Sequence, residues 1–365
     1  MTENSLAVKK EKIIVENKTE KLPYYDGTKL LSLKDVNGNT PEIYICTSNR
    51  TAGKTTYFNR YLVNGFLKKG KRFMLLFRYD TELAECADKF FKDIKGLFFP
   101  DYEMTSKPVA KGKFIELFLN DQSCGYAVAL NASDYVKKFS HLFSDIQVMM
   151  FDEFMPESNQ YAPEELRKFR SIHTSVARGQ GAMVRRVPVI MVSNPVTLLN
   201  PYYAAMRISS RLTPRTKFLK GRGFVVEQGH NEAAANAQST SAFNQCFDDD
   251  SQYDAYLKEG VYLNDNLAFI EKPKGQSRYL CTIRYKGQGY GIRQYGNLGV
   301  IYCDDKCDGS FPTKIAVSTI DHEVNYVLLK QNDMLLSYLK YLFRKGAFRF
   351  KNLACKEAVM CLLSL

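Results

Sequence analysis

No apolar run in the 365-residue chain reaches the roughly 20 residues a bilayer-spanning helix needs. A membrane span is therefore not expected. The opening MTENSLAVKKEK has no apolar core of a signal peptide and reads as a solvated arm. Cysteine occurs nine times, yet no two cysteines are spaced as CxxC. The closest pair, Cys303 and Cys307, has no companion pair and stands among aspartates. The four histidines, His141, His173, His230 and His322, are scattered. Zinc is thus not expected, and reduced thiols in a cytosolic protein are. Internal repeats are also lacking. Acids are in the minority: 51 Lys and Arg stand against 39 Asp and Glu, a formal charge of +12. That excess suits a polyanionic partner, although a merely soluble basic surface would look the same.

What is present is an alternation of apolar strands and amphipathic helices. Residues 42–47, EIYICT, read as a strand. KTTYFNRYLVNGFLKKG reads as a helix with Phe58, Tyr61, Leu62 and Phe66 on one face and Gly70 as its cap. A second strand is expected at 72–79 and a helix at 81–93. A buried strand at 146–151 ends in Asp152 and Glu153. A helix is expected to open near Pro163, the favoured first helical position, and further strands are expected at 188–193 and 223–228. The alternation predicts an α/β fold with a largely parallel sheet. From Asn231 the composition turns small and polar, as in a linker or lid. Beyond Glu271 strands alternate with turns as a series of hairpins, and two short helices close the chain at 331–344 and 353–364. The expected organisation is residues 1–230, a linker or lid at 231–271, and a smaller α+β domain at 272–365.

Between the first strand and the first helix lie Ser48, Asn49, Arg50, Thr51, Ala52, Gly53, Lys54, Thr55 and Thr56. This is the setting of a P-loop, in which N–H groups at a helix N-terminus cradle phosphate oxygens. Lys54 would place a point charge on the β- and γ-phosphates of ATP, and Thr55 would offer its hydroxyl to Mg²⁺. Ser48 stands where the consensus has its first glycine. An ordinary turn before a helix would be the bland reading of the loop alone. The strand VMMFDEF makes that reading poor. Asp152 would hold the Mg²⁺ shell, and Glu153 would orient and activate the attacking water. VIMVSNP then puts Ser193 and Asn194 at the end of another buried strand, where a polar side chain can sense the γ-phosphate. A strand cap and turn is the competing reading, since Asn-Pro favours turns.

With these three motifs in order, the chain resembles the phage DNA-packaging ATPases of the large-terminase superfamily. In that family the loop often lacks its first glycine and carries an arginine three residues before the Gly-Lys pair, the place of Arg50. The closer likeness is to the compact DNA encapsidation proteins of short-tailed phages with protein-primed genome ends: KRFMLLFRYDTEL, FDEF and SNPVTLLNPYY follow in their order. It is specific over about residues 42–205. It implies a P-loop ATPase that drives double-stranded DNA into a procapsid, acting as a homomeric ring, a pentamer, docked on the portal in the cytoplasm of an infected bacterium. A scaffold RNA is a further partner it admits. It implies Lys54, Thr55, Asp152 and Glu153 at the ATP site, Asn194 in the coupling motif, and an arginine finger among Arg178, Arg185 and Arg186.

It also implies an RNase H-like C-terminal domain, which as a nuclease would need clustered carboxylates around two metal ions. GYGIRQY offers Arg293 and Gln294 where an aspartate is wanted, and Asp304, Asp305, Asp308, Asp321 and Glu323 fall mostly in turns. The expectation is a vestigial nuclease fold. Arg207, Arg211, Arg215, Lys217, Lys220 and Arg222 form the densest basic stretch, the candidate for phosphate contact with DNA. Two other functions compete: a full terminase with an active nuclease, and a DNA-binding assembly factor that uses ATP only as a switch. Glu153 argues against the second, since a switch needs no water-activating carboxylate.

Overall fold

A computed structural model describes residues 24–158, 160–179, 183–209, 211–213, 216–246, 262, 269–328 and 333–363. The described residues form a nine-stranded sheet and a five-stranded sheet. The large sheet is built around β1 (Ile43–Thr47), β2 (Arg72–Phe77), β6 (Ile146–Asp152), β7 (Val189–Ser193) and β9 (Phe224–Gln228). These five are parallel, in the order β2-β6-β7-β1-β9. Each is nearly all apolar because helices cover both faces, so no strand can show an in/out alternation. Alternate residues serve the two sides. Ile45, Met74, Met149 and Met191 join Phe169 and Ile172 of α5 (Glu165–Val176) in one core. Cys46, Phe73, Met150 and Val192 join Phe58 and Leu62 of α2 (Lys54–Lys69) and Phe90 and Ile94 of α3 (Leu83–Phe98) in the other. Burying each such side chain contributes roughly 1.5–3 kcal/mol.

Beyond β2 the sheet continues through β5 (Gln122–Ala129), parallel to β2, and then antiparallel β4 (Phe114–Leu119) and β3 (Met104–Val109). These three were not anticipated. At the other edge β8 (Phe218–Gly221) pairs antiparallel with β9. Two sequence expectations need correction. Tyr61 is exposed, and Val63 takes its place in the core beside Phe58 and Leu62. The helix expected at Pro163 begins at Glu165, because Glu164 adopts a left-handed φ of 54° that interrupts it. The stretch from Asn231 opens with α7 (Glu232–Ser239), whose first turn is capped by the Asn231 side chain accepting from Ala234 N at 2.8 Å.

The small sheet has the order β13-β10-β11-β12-β14. β10 (Arg278–Tyr285), β11 (Gln288–Tyr295) and β12 (Val300–Asp304) form the expected meander. The next strand does not extend it as a hairpin. β13 (Lys314–Ala316) crosses to the far edge and lies parallel to β10, while β14 (Phe348–Phe350) lies parallel to β12. Both are three-residue strands, so the pattern gave no sign of their partners. Helices α8 (Met334–Arg344) and α9 (Leu353–Leu363) bury Leu336, Leu339, Val359 and Leu362 against this sheet.

Candidate active site

Parallel strands bring their C-terminal ends to one rim of the large sheet, and ligand crevices form there. β1 delivers the loop to that rim. Gly53, the N-cap of α2, has φ 88°, a conformation a side chain adopts at a cost. No side chain caps the helix, so its first N–H groups are left for an anion. Ser48 and Asn49 are buried. Room for the serine is made by Gly229, just past β9: a Cβ there would come within 3.2 Å of Ser48 Cβ, and Gly229 N donates to Thr47 O at 2.7 Å. The small residue the consensus puts in the loop is here its neighbour.

Lys54 is 6% exposed. Its Nζ donates to Ser48 O at 2.9 Å, Asn49 O at 3.0 Å and Asn194 Oδ1 at 3.1 Å, tying the loop to the strand end of β7. Burial lowers its pKa, with Cys46 and Asp152 opposing. Thr55 Oγ1 donates to Asp152 Oδ1 at 3.2 Å. Burial, and then the charge of Glu153, push the Asp152 carboxyl up to about 6. Glu153 is exposed, with a left-handed φ of 52°, and its N–H donates to Asp152 Oδ1 at 3.0 Å. Neither carboxylate has an ion-pair partner among the described residues. Ser193 Oγ donates to Met155 O at 3.1 Å, which fixes the third motif against the segment after the acid pair. Arg50 pairs with Glu157 at 2.7 Å on the exposed side.

Arg50, Gly53, Lys54, Thr55, Asp152, Glu153, Ser193 and Asn194 line a cavity of about 910 Å³ together with Ala52, Thr56, Tyr24, Gln238, Phe243 and Asn244. The segment after Asn231 thus helps wall the site. Asn49 Nδ2 donates to Asn231 O at 3.0 Å, Asn231 N donates to Asn49 Oδ1 at 2.9 Å, and Gln238 Nε2 donates to Thr51 Oγ1 at 3.3 Å. Sequence reasoning missed this contact, whose one signal is a helix-capping asparagine ahead of alanines. The donors present fit Mg²⁺: one hydroxyl and one carboxylate side by side, leaving the rest of the shell to phosphates and water. Among the described residues no cluster of three or more His, Cys, Asp or Glu could hold a metal by itself.

The other candidates lie elsewhere. Arg178, Arg185 and Arg186 precede β7 (Val189–Ser193), at the end of the strands opposite the rim that carries Lys54. Arg178 is exposed. Arg185 donates to the carbonyls of Arg178, Ile146 and Val176 at 3.2, 3.0 and 2.8 Å, and Arg186 to Pro41 O and, at 3.5 Å, to Glu42. In the basic stretch, Arg207 and Arg211 are exposed beyond α6 (Pro201–Ala205), and Arg211 donates to Lys220 O at 2.6 Å. Lys217, Lys220 and Arg222 are exposed on the edge hairpin of β8 and β9, and Arg215 lies outside the described residues. In the small sheet, Asp304 pairs with Arg293 at 3.2 Å, Asp305 with Lys351 at 2.5 Å and Glu323 with Arg284. Asp321 accepts from the N–H groups of Lys286 and Gly287.

Residues 19–364 match the family described as Podovirus DNA encapsidation protein (Gp16). The chain is 25% identical to a DNA packaging protein of Bacillus phage phi29 over 337 residues, 91% of this chain and 95% of that one. It is 24% identical to a DNA packaging protein of Bacillus phage B103 over 307 residues, 83% and 90% of the two chains. In structure it is similar to a chain of the bacteriophage phi29 viral genome packaging motor assembly, with TM-score 0.67 and 23% identity over 93% of this chain and 99% of that chain.

Proposed function

The chain belongs to the podovirus DNA encapsidation family, and from that premise we propose that it is the ATP-hydrolysing motor that moves double-stranded viral DNA into a procapsid. The observation that carries the reading is the convergence of Lys54, Thr55, Asp152, Glu153 and Asn194 on one cavity at the strand ends. The uncapped start of α2 and Lys54 bind the β- and γ-phosphates, Ala52, Gly53 and Thr56 shape the loop around them, and Thr55 and Asp152 hold Mg²⁺. The metal, when bound, offsets charge on the phosphate oxygens. Glu153, whose carboxylate has no ion-pair partner among the described residues, takes a proton from the attacking water. Asn194, bonded to Lys54, links this site to the helix beyond β7.

The site is read as part of a unit of residues 1–230, with 231–271 linking it to a C-terminal unit of 272–365. Each described acid of the smaller sheet is held by a cation or by N–H groups, which supports an RNase H-like unit without nuclease chemistry. Arg207, Arg211, Lys217, Lys220 and Arg222, with Arg215, are the candidate DNA contacts. The motor works as a homomeric ring, taken as a pentamer, on the portal of the procapsid in the host cytoplasm, with a scaffold RNA as a further partner. No helix among the described residues is long and apolar enough to cross a membrane. The finger arginines stand at the strand ends opposite their own chain's site, so a finger among them would serve a neighbour. Arg178, exposed and with no side-chain hydrogen bond among the described residues, is our first candidate. The test is ATP turnover with and without DNA and empty procapsids. Sustained turnover that DNA stimulates is expected, and a single nucleotide bound without turnover would sink the motor reading.

A further inference from the structure

One cation beside the acid pair has no role in the scheme above. Arg78 follows β2, the strand hydrogen-bonded to β6, and its side chain is 10% exposed. The guanidinium is engaged on both edges. Nε and Nη2 donate to Glu165 Oε2 and Oε1 at 2.8 and 3.1 Å. Nη1 and Nη2 reach the carbonyl of Glu153 at 3.3 Å, and Nη2 reaches that of Phe154 at 3.0 Å. Its carbon lies 5.6 Å from the ring centres of Phe151 and Tyr161. Glu165, 1% exposed in its side chain, also accepts from Tyr202 Oη at 2.8 Å and from Ala162 N at 2.7 Å. One buried ion pair therefore joins the end of β2, the turn after β6, the start of α5 and α6.

The backbone it grips is strained. Glu153 has φ 52°, a region that non-glycine residues keep only where their surroundings over-determine it. On one side the Glu153 N–H is held by Asp152 Oδ1, and on the other the Glu153 carbonyl is held by Arg78. Both peptide groups flanking its Cα are fixed, so the direction in which the carboxylate leaves the backbone is fixed too. A buried ion pair is a poor device for stability, since desolvation offsets most of its attraction. Spent on one turn's carbonyls, it is a good device for geometry.

We propose that Arg78, held by Glu165, is a positioning residue for hydrolysis that keeps the Glu153 carboxylate aimed at the attacking water. This rests on Glu153 being the water-activating group. The test compares kcat, KM and binding of a fluorescent ATP analogue in three variants. Glu153→Gln is the reference. Arg78→Met with Glu165→Gln removes both charges together, so no lone charge stays buried. Arg78→Lys keeps the ion pair, and with it the fold, but one ammonium cannot span a carboxylate and two carbonyls. The double variant should bind nucleotide about as wild type does while kcat falls on the order of 100-fold, the cost of a small misplacement at a reacting centre. Arg78→Lys should show the same split, KM steady and kcat reduced about 10-fold or more. Wild-type kcat in either folded variant, or loss of nucleotide binding in step with kcat, would overturn the proposal while leaving the ATP site intact. Normal turnover by Glu153→Gln would instead remove the reading of the site, and the positioning role with it.

Discussion

The acid pair at the rim of the large sheet and the acids around the small sheet are treated in opposite ways. At the rim of the large sheet Asp152 and Glu153 have no basic partner among the described residues, and the nearby Lys54 gives its protons to carbonyls and an amide. In the small sheet Arg293, Lys351, Arg284 and Lys286 each hold an acid: Asp304, Asp305, Glu323 and Glu357. An acid already matched by a cation has little to offer a metal ion or a proton in flight. An acid left unmatched beside another carries a cost that only a ligand relieves, which is why such pairs mark sites. Sequence position alone does not separate the two sets, since both sit at strand ends and turns.

The sharpest way to break this contrast is to exchange its cations. Lys54→Ala should abolish ATP turnover, because it removes the charge on the β- and γ-phosphates. Lys351→Ala, which frees Asp305, should leave turnover as it is. A radiolabelled phosphate-release assay reads both, and turnover surviving in Lys54→Ala would end the P-loop assignment. Next in size, Glu153→Gln should bind ATP yet hydrolyse it about 10²–10⁴ times more slowly, the usual worth of a general base, whereas Glu323→Gln should be indistinguishable from wild type. Near-normal kcat in the first would move the water-activating role elsewhere.

A stability measurement should give the two acids opposite signs. The folded pKa of Asp152, about 6 against an ordinary 3.8, lies above the unfolded one. Its ionisation therefore costs stability, fully above pH 6 and not at all below the unfolded value. Asp152→Asn should raise stability at pH 7.5 without Mg²⁺ by on the order of 1–3 kcal/mol, and lose Mg²⁺-dependent turnover. The gain should fade as pH falls through 6. Asp304→Asn takes the carboxylate charge from Arg293 and should lower stability, by roughly 1–3 kcal/mol for a pair this buried. Urea titrations at pH 7.5 and 5 decide it; a destabilised Asp152→Asn would mean that its carboxylate is matched after all.

The five central strands were legible because burial on both faces leaves unbroken apolar runs such as RFMLLF and VIMVS. β3 to β5 were not. Pro108 sits within β3, no residue of which is fully buried, and the turn after β4 is Asn120-Asp121, both at positive φ (46° and 61°) without a glycine to announce it. The three motifs were legible because phosphate and metal chemistry fixes residue type at strand ends. Three things were illegible for a different reason: the bond from Asn49 to Asn231, the fit of Gly229 against Ser48, and the grip of Arg78 on Glu153. Each joins positions 75 or more residues apart, and their residue types are ordinary on any surface. The stretch from Asn231 reads as a linker or lid because its residues are small and polar, and within it α7 forms because alanine is the best helix former.

The same contrast extends, more faintly, to the cations and DNA. Lys217, Lys220 and Arg222 are exposed on the β8–β9 hairpin and make no ion pair among the described residues, whereas Lys286 of the small sheet is held by Glu357 at 2.9 Å. A cation free of acids can release condensed counterions from a phosphate backbone when it binds. One already neutralised must first give up its partner. Each true phosphate contact adds about 0.9 to the slope of log K against log salt. Lys220→Ala should therefore weaken duplex binding a few-fold at low salt and lower that slope by about one. Lys286→Ala should change neither. The loss should be the same on any sequence, since backbone contacts carry no base information. Fluorescence anisotropy on two unrelated duplexes across a salt series separates the cases. Equal slopes for Lys220→Ala and wild type would take the hairpin out of the DNA path. An effect confined to one of the duplexes would mean that it reads bases rather than charge.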